Sequence, residues 1–316
     1  VYTPDNTSPY VISIEPCRSG PEIGMSLADD FPEIAKRNEP LAPYTHLKIG
    51  GPAELLIQPR DVDELRAVLT ACQTQKVPVR MLGGGNNLLI RDDPVPGAVI
   101  RLTAPAFTML EWDGKRITAG GGCLLFDLIA FSVRQGLTGL ETLVGIRGTV
   151  GGSVRCNVGD RAGEISQAVR EVRVLTDAGK VQVRTRDELT FSEHQSDIDE
   201  PVILSIVFEL ERDDPTAVLK RMRKAWILRK AGEPLSFQAF VRLFRNPPGQ
   251  TAAALIDRAS LTKTRVGGAE LSERNSNYVV AHPGTTAADI LQLADHVRAR
   301  VKERTGATLE RELHVW

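Results

Sequence analysis

Short apolar runs alternate with stretches of helical periodicity from residue 39 onward. AELLIQP (53–59) predicts a strand, and Asp61 begins a predicted helix in which apolar residues recur at every third or fourth position. VRML (79–82) predicts the next strand and completes a strand–helix–strand unit. Alternation of this kind indicates layers of helix and sheet, as in α+β or α/β proteins.

The middle of the chain is predicted to be rich in strands. EVRVLT and KVQVRT flank the turn DAG (177–179) and predict a hairpin. Gly136 ends a predicted helix that begins at Leu124. The other predicted strands of this region are AVIRL (98–102), RITAGGG (116–122) and VILSIVFEL (202–210).

The last hundred residues are predicted to be mainly helical. Asp214-Pro215 opens one helix that runs to about Arg229, and TAAALIDRAS predicts a second. Thr286 caps a third that runs to about Arg304, whose apolar stripe we assign to the core. The changes of pattern divide the chain into an N-terminal extension (1–38), two subdomains (39–102 and 103–212) and a C-terminal domain (213–316). The extension is polar, contains five prolines and shows no sustained period.

Net charge and hydropathy argue against two classes of binding partner, nucleic acids and membranes. Thirty-nine Lys and Arg against forty Asp and Glu give a net charge of −1, so no broad attraction to nucleic acid or to an anionic membrane is expected. No apolar run approaches the roughly 20 residues of a membrane helix, and the first residues lack a basic segment followed by an apolar one. We therefore expect a cytoplasmic protein without nucleic-acid or membrane partners.

The cysteines signal neither a metal site nor a disulfide framework. Cys17, Cys72, Cys123 and Cys156 lie far apart and form no C-x-x-C pair. Reduced and mostly buried thiols are expected.

Two glycine-rich loops are the candidate binding elements. In Gly83-Gly-Gly-Asn-Asn87, several backbone N–H groups can turn toward a phosphate without obstruction by side chains. A tight connection between strands is the alternative for this loop. No helix is predicted after these glycines, so the loop is not a Rossmann fingerprint. The second loop, Gly145-Ile-Arg-Gly-Thr-Val-Gly-Gly152, repeats the feature, and two such loops suit the two phosphates of a dinucleotide.

A family resemblance covers the chain from residue 43 to its end. In their order and spacing, several motifs resemble those of the UDP-N-acetylenolpyruvoylglucosamine reductases. This resemblance implies an α+β protein with a vanillyl-alcohol-oxidase/PCMH-type FAD-binding fold of two subdomains, followed by a C-terminal α/β substrate domain. A monomer is expected. The motifs are PYTHLKIGGPAELLI, MLGGGNNLLIRD, GLETLVGIRGTVGGSVRCNVGD, LFRNPPG, LIDRASLTKTRVGGAELSERNSNYVV and LERELHV.

The resemblance implies FAD as cofactor and NADPH as hydride donor. Asn86 stands where the family usually has serine and still offers an amide donor. Arg147 stands at a usual proline, and it either pairs with a phosphate or is solvated. The implied cofactor-binding residues are Ile49, Gly50, Gly51, Gly83, Gly84, Gly85, Asn86, Asn87, Leu88, Gly145, Arg147, Gly148, Thr149, Gly151 and Gly152.

Two of three catalytic positions depart from the family pattern. The family reduces an enolpyruvyl group on a UDP-sugar with an arginine and a glutamate that stabilise the enolate and a serine that donates the proton. Glu312 matches the glutamate, whereas His194 occupies the arginine position and Arg242 the serine position. The implied substrate-binding residues are Arg245, Asn246 and Asn277, and no metal is implied.

The substitutions leave two interpretations. In the first the roles are exchanged, so that Arg242 stabilises the enolate and His194 donates the proton, which suits an imidazole with a pKa of about 6.5. In the second the site is altered, bulky Phe240 and Val241 crowd the substrate, and FAD or sugar-nucleotide binding outlives catalysis. An oxygen-using FAD oxidase is a further alternative, which the reductase-like segment RVGGAELSERNSNYVV argues against.

Overall fold

The computed structural model describes residues 11–12, 23–160 and 162–316, which form two compact units. Unit 1 comprises the described residues up to Asn38 together with Glu54–Gly84 and Pro96–Ile227. Unit 2 comprises Glu39–Ala53, Gly85–Val95 and Leu228–Trp316. Each unit is therefore assembled from segments that are distant in the sequence.

The secondary structure of the described residues mixes short strands with helices. The strands are β1 (Val11–Ile12), β2 (Ala35–Pro40), β3 (Pro52–Ile57), β4 (Val79–Met81), β5 (Leu88–Leu89), β6 (Val95–Ile100), β7 (Leu110–Trp112), β8 (Arg116–Gly120), β9 (Leu137–Thr138), β10 (Gly159–Asp160), β11 (Gly163–Glu164), β12 (Val169–Leu175), β13 (Val181–Thr185), β14 (Phe191–Ser192), β15 (Gln195–Ser196), β16 (Val202–Glu209), β17 (Glu211–Arg212), β18 (Ala239–Arg242), β19 (Arg265–Val266), β20 (Ala269–Leu271), β21 (Tyr278–Ala281) and β22 (His314–Val315). The helices are α1 (Ile23–Asp30), α2 (Val62–Thr74), α3 (Pro105–Thr108), α4 (Leu125–Arg134), α5 (Val150–Arg155), α6 (Pro215–Ala231), α7 (Ala252–Arg258) and α8 (Ala287–Thr305). Most of the elements predicted from the sequence therefore form within a few residues of their predicted bounds.

A five-stranded sheet in the order β1-β4-β6-β3-β2 forms the first layer of unit 1. Asp61 caps α2 by accepting a hydrogen bond from the Glu64 backbone N–H, which satisfies a donor at the helix start. Leu65, Val68 and Cys72 of α2 are fully buried in the same apolar core as residues of this sheet. The predicted strand–helix–strand unit is confirmed.

A second five-stranded sheet in unit 1 has the order β13-β12-β16-β8-β7 and is antiparallel throughout. β12 and β13 form the hairpin that the sequence predicts. Its core, to which α4 and α5 contribute, includes the fully buried Phe208. Unit 1 thus has two apolar clusters, and Leu175, Val202 and Leu204 of the second sheet contribute to the cluster of the first.

Unit 2 contains a four-stranded antiparallel sheet in the order β18-β21-β20-β19, with α7 and α8 contributing to the same core. Thr286 and Asp289 form a capping box at the start of α8, and Gly306 ends the helix with φ 74°. The apolar stripe of α8 is buried, which confirms its assignment to the core.

Two features differ from the sequence-based expectations. Residues 23–38 form α1 and part of β2, and Leu27 and Ile34 are buried in the first core, so this part of the predicted extension belongs to the folded unit. The individual strands of the sheet in unit 2 were not predicted from the local pattern, because each is only two to four residues long. The predicted boundaries near 103 and 213 stay predictions.

Of the cysteines that the structure describes, Cys72 and Cys123 have free thiols. Cys72 and Cys123 are buried, and burial raises the pKa of the Cys72 thiol to about 12 and that of Cys123 to about 11. Cys156 is partly buried, and Cys17 lies outside the described residues. Among the described helices, none combines the length and the apolar character needed to cross a membrane.

Candidate functional site

Three glycine-bearing loops of unit 1 line one cavity. Two of them follow β4 (Gly83, Gly84) and β8 (Gly121, Gly122), and the third is formed by the cap and first residues of α5 (149–152). The cavity wall also contains the apolar side chains of Leu102, Leu124, Val202 and Ile203. Parts of the two glycine loops that the sequence singled out therefore lie together at one site.

At several glycines of this cavity a side chain would collide with a neighbouring loop. A Cβ added at Gly83 would lie 2.8 Å from Thr149 Oγ1, and one at Gly151 would lie 2.9 Å from the Gly121 carbonyl oxygen. At Gly122 an added Cβ would collide with the Leu102 carbonyl. The cavity floor is therefore made of peptide groups, which a flat or anionic ligand can approach closely.

Two arginines and a third glycine loop at this cavity were missed from the sequence. Arg101 and Arg155 both line it, and Arg155 donates from Nη1 to the Ile198 carbonyl at 2.7 Å, which fixes the guanidinium. The triplet at 120–122 was the available signal for the third loop, but we assigned it to the end of a strand. No local pattern identifies Arg101 or Arg155.

The first loop from Gly85 onward and the segment 49–51 belong to unit 2, where close packing explains their glycines. A Cβ at Gly50 would lie 2.8 Å from Ile90 Cβ, and one at Gly51 would lie 2.6 Å from the Asp92 carbonyl oxygen. Gly85 has φ +59° and packs on the Tyr44 carbonyl. The predicted cofactor residues in unit 2 are Ile49, Gly50, Gly51, Gly85, Asn86, Asn87 and Leu88.

Asn87 fixes the segment that carries Glu312. Its side-chain amide donates to the Glu312 carbonyl at 3.1 Å, and the His314 N–H donates to the Asn87 carbonyl at 3.1 Å. These contacts extend the parallel pairing of β5 with β22. The Asn87 amide thus holds a predicted catalytic residue in place.

Arg242 and Glu312, two of the three predicted catalytic residues, form an ion pair in unit 2. Arg242 Nη1 lies 3.5 Å from Glu312 Oε2, and their side chains are 33% and 17% exposed. Burial lowers the pKa of Arg242, but the charges and hydrogen bonds of Glu312 and Tyr278 together outweigh this effect and keep that pKa above its usual value. Arg242 is therefore a permanent cation beside the retained carboxylate.

Phe240 and Val241, which were expected to crowd the substrate, point into the interior. Each is 3% exposed, and Val241 belongs to the core of unit 2. The Phe240 ring meets Tyr278 edge to face, with 5.6 Å between ring centres. Val241 faces that core, whereas Phe240 and Arg242 both contact Tyr278.

His194 lies in unit 1, at the turn of the two-residue hairpin loop between β14 and β15, with φ +55°. Two hydrogen bonds tie this hairpin to α5 and the residues after it: Asn157 Nδ2 donates to the Ser192 carbonyl at 2.9 Å, and Ser196 Oγ donates to the Arg155 carbonyl at 2.8 Å. The three predicted catalytic residues are thus divided between the two units.

The predicted substrate-binding residues have different surroundings. Asn277 is 3% exposed, and its amide makes two hydrogen bonds to the Phe244 backbone, so its side chain holds the chain in place. Asn246 Oδ1 accepts from the Ala252 N–H at the start of α7. Arg245 Nε is buried and has no hydrogen-bond partner among the described residues. Arg245 therefore retains donor capacity for a ligand.

The stability of the protein should depend on His314 in mildly acidic solution. Burial and the nearby charge of Arg245 lower the pKa of His314 to about 4. The unfolded chain takes up this proton at about pH 6.5. Stability is therefore full above about pH 6.5 and falls as pH drops toward 4. We expect His314→Gln to flatten this dependence in urea unfolding, whereas His296→Gln, at an exposed position of α8, should leave it unchanged.

Two segments of the chain match the models of known protein families. Residues 53–184 match the model of the FAD binding domain, and residues 233–316 match that of the UDP-N-acetylenolpyruvoylglucosamine reductase C-terminal domain. The UDP-N-acetylenolpyruvoylglucosamine reductase of Heliobacterium modesticaldum is 37% identical over 289 residues, which are 90% of this chain and 92% of that protein. That of Rhodopirellula baltica is 35% identical, over 92% of this chain and 97% of that protein.

Solved structures give the same result. The crystal structure of UDP-N-acetylenolpyruvylglucosamine reductase from Thermus caldophilus superposes with a TM-score of 0.76 at 36% identity, covering 88% of this chain and 97% of that one. A Physcomitrella patens BBE-like 1 variant is similar in fold, with a TM-score of 0.53 at 12% identity over 90% of each chain. The predicted α+β fold of the vanillyl-alcohol-oxidase type and the predicted FAD-binding domain are confirmed.

Proposed function

Because the chain belongs to the UDP-N-acetylenolpyruvoylglucosamine reductase family, we propose that it is an FAD-dependent reductase of peptidoglycan precursor synthesis. Its reaction takes hydride from NADPH and reduces UDP-N-acetylglucosamine enolpyruvate to UDP-N-acetylmuramate. The observation that carries this proposal is the cavity floored by peptide groups inside the matched FAD-binding domain. A cytoplasmic location and a monomeric state accompany the proposal as predictions.

The residues of the cavity fit the cofactor. Peptide groups of Gly83, Gly84 and Gly151 can approach the diphosphate closely, and the guanidinium groups of Arg101 and Arg155 supply positive charge at the same cavity. The apolar wall suits a flat ring system. When bound there, FAD supplies the hydride for the reduction.

Residues of unit 2 would act on the substrate. Arg245 has a buried Nε without a protein partner, and a guanidinium is well suited to the diphosphate of a UDP-sugar. Arg242 would stabilise the negative charge that develops on the enolate as the double bond is reduced. Glu312 holds Arg242 through their ion pair.

A second candidate function is binding of FAD and the sugar nucleotide without turnover. The observation that favours it is Arg242, which stands at the family's proton-donating serine. A guanidinium does not release a proton at neutral pH. If no other group supplies the proton, the reduction cannot be completed.

Anaerobic single-turnover spectroscopy decides between the two candidates. The purified protein is loaded with FAD and bleached with one equivalent of NADPH, and UDP-N-acetylglucosamine enolpyruvate is then added. Return of the oxidised flavin spectrum with formation of UDP-N-acetylmuramate supports the reductase, provided that UDP-N-acetylglucosamine gives no return. Bleaching without return supports the second candidate. A colourless protein that takes up no FAD overturns both.

A further inference from the structure

Resting on the proposed function, we propose that the hydroxyl group of Tyr278 donates the proton that completes reduction of the enolpyruvyl group. This assigns to Tyr278 the part that a serine plays in the family. The proposal rests on the cluster of Arg242, Tyr278 and Glu312 in unit 2.

Strand pairing places Tyr278 beside the position of the missing donor. β18 and β21 are antiparallel, and Arg242 is the direct partner of Tyr278 in their register. Directly opposed residues project to the same face of a sheet and lie within contact distance. The Arg242 guanidinium carbon lies 5.9 Å from the centre of the Tyr278 ring. Phe240 packs edge to face on the same ring and restricts its orientation.

Tyr278 can release a proton, whereas its partner cannot. A phenol is both a donor and an acid, and tyrosine is an established general acid in enzymes. The phenolate left after proton transfer would lie beside the permanent cation of Arg242, which stabilises it. Arg242 occupies the position of the family's serine donor, and its positive charge favours proton release by Tyr278 in place of that serine.

The charges that face Tyr278 come from three segments. Burial raises the pKa of Tyr278, Arg242 opposes this increase, and Glu233 and Glu312 add to it, so the pKa lies above its usual value. Glu233 is paired with Lys230, whose Nζ lies 2.8 Å from Glu233 Oε2. The hydroxyl group is therefore protonated and ready to donate throughout the neutral range.

The proposed step is balanced. The terminal carbon of the enol ether accepts hydride from the reduced cofactor, and the electron pair of the double bond moves to the carbon that carries the carboxylate. That carbon then forms a C–H bond with the Tyr278 proton while the O–H bond breaks. Water returns a proton to the phenolate.

The first test is Tyr278→Phe, which removes one oxygen and keeps the ring that packs on Phe240. We expect reduction of FAD by NADPH to be unchanged and reoxidation by the enolpyruvyl substrate to slow by about 10²-fold or more, the scale of lost general-acid catalysis. Tyr44→Phe is the matched control, because it removes the same oxygen from a tyrosine of the same unit whose hydroxyl group donates to Glu39. It should reoxidise at the parental rate.

The second test needs no cofactor. Tyrosinate absorbance of the protein without FAD is followed to high pH, and the Tyr278 transition is identified as the one missing in Tyr278→Phe. Removing the cation in Arg242→Gln should move this transition to higher pH, because Arg242 favours the phenolate.

The outcomes separate failure of this inference from failure of the proposed function. A parent that reoxidises rapidly together with an equally rapid Tyr278→Phe variant overturns the inference alone. A Tyr278 transition that does not move in Arg242→Gln also overturns it. A parent that substrate does not reoxidise overturns the proposed function, and the inference with it.

Discussion

Gly84→Leu is expected to yield a colourless protein. Gly84 contributes only backbone to the cavity that all three glycine-bearing loops line. A leucine side chain takes up volume that the cofactor needs and keeps the diphosphate away from the peptide groups. We expect FAD affinity to fall by at least about 100-fold, which corresponds to about 2.7 kcal/mol. Absorbance of the purified protein and a fluorescence titration with FAD measure this loss.

Gly232→Leu is the matched control for the added side chain. Gly232 is exposed, and an added Cβ would meet only the Arg229 carbonyl oxygen, at 3.8 Å. This variant should bind FAD like the parent. A yellow Gly84→Leu protein of parental affinity would remove the cavity of unit 1 from the proposed cofactor site.

Restoring the family residue in Arg242→Ser is expected to slow the enzyme. The change removes the cation beside Glu312 and leaves that largely buried carboxylate without its partner. It also withdraws the positive charge that would stabilise both the enolate and the Tyr278 phenolate. Substrate-dependent reoxidation of the flavin should slow by about 10²-fold or more, the range found when a preorganised electrostatic contact is lost.

Three further variants show whether loss of the Arg242 charge causes the slower reoxidation. Arg265→Ser, at an exposed arginine of the same unit, should react like the parent. His194→Ala should also react like the parent if Tyr278 is the acid, whereas exchanged roles require it to slow by about 10²-fold. Rebuilding both altered stretches to the family pattern should recover more activity than either change alone, because such residues act as a unit. An Arg242→Ser protein as fast as the parent would contradict the electrostatic role of Arg242.

Local patterns determined much of the fold. Asp61 and Thr286 mark helix starts because their side chains satisfy backbone donors locally, and the spacing of Ile290, Leu293 and Val297 fixes the buried face of α8. The hairpin around 177–179 follows from alternation of side chains and a turn sequence. These signals lie within one element each, so the sequence alone was sufficient to find them.

The sequence by itself also determined the family and the candidate residues His194, Arg242 and Glu312, because motifs retain their order and spacing along the chain. The tertiary structure alone decided that Arg242 pairs with Glu312, that Tyr278 faces Arg242, and that Arg101 and Arg155 line the cavity. Arg242 and Glu312 are 70 residues apart and come together because the chain after β18 pairs with the chain before β22: the Glu312 N–H donates to the Leu243 carbonyl, and the Arg245 N–H donates to the Glu310 carbonyl. Such proximity depends on long-range packing, which leaves no periodic trace in the local sequence.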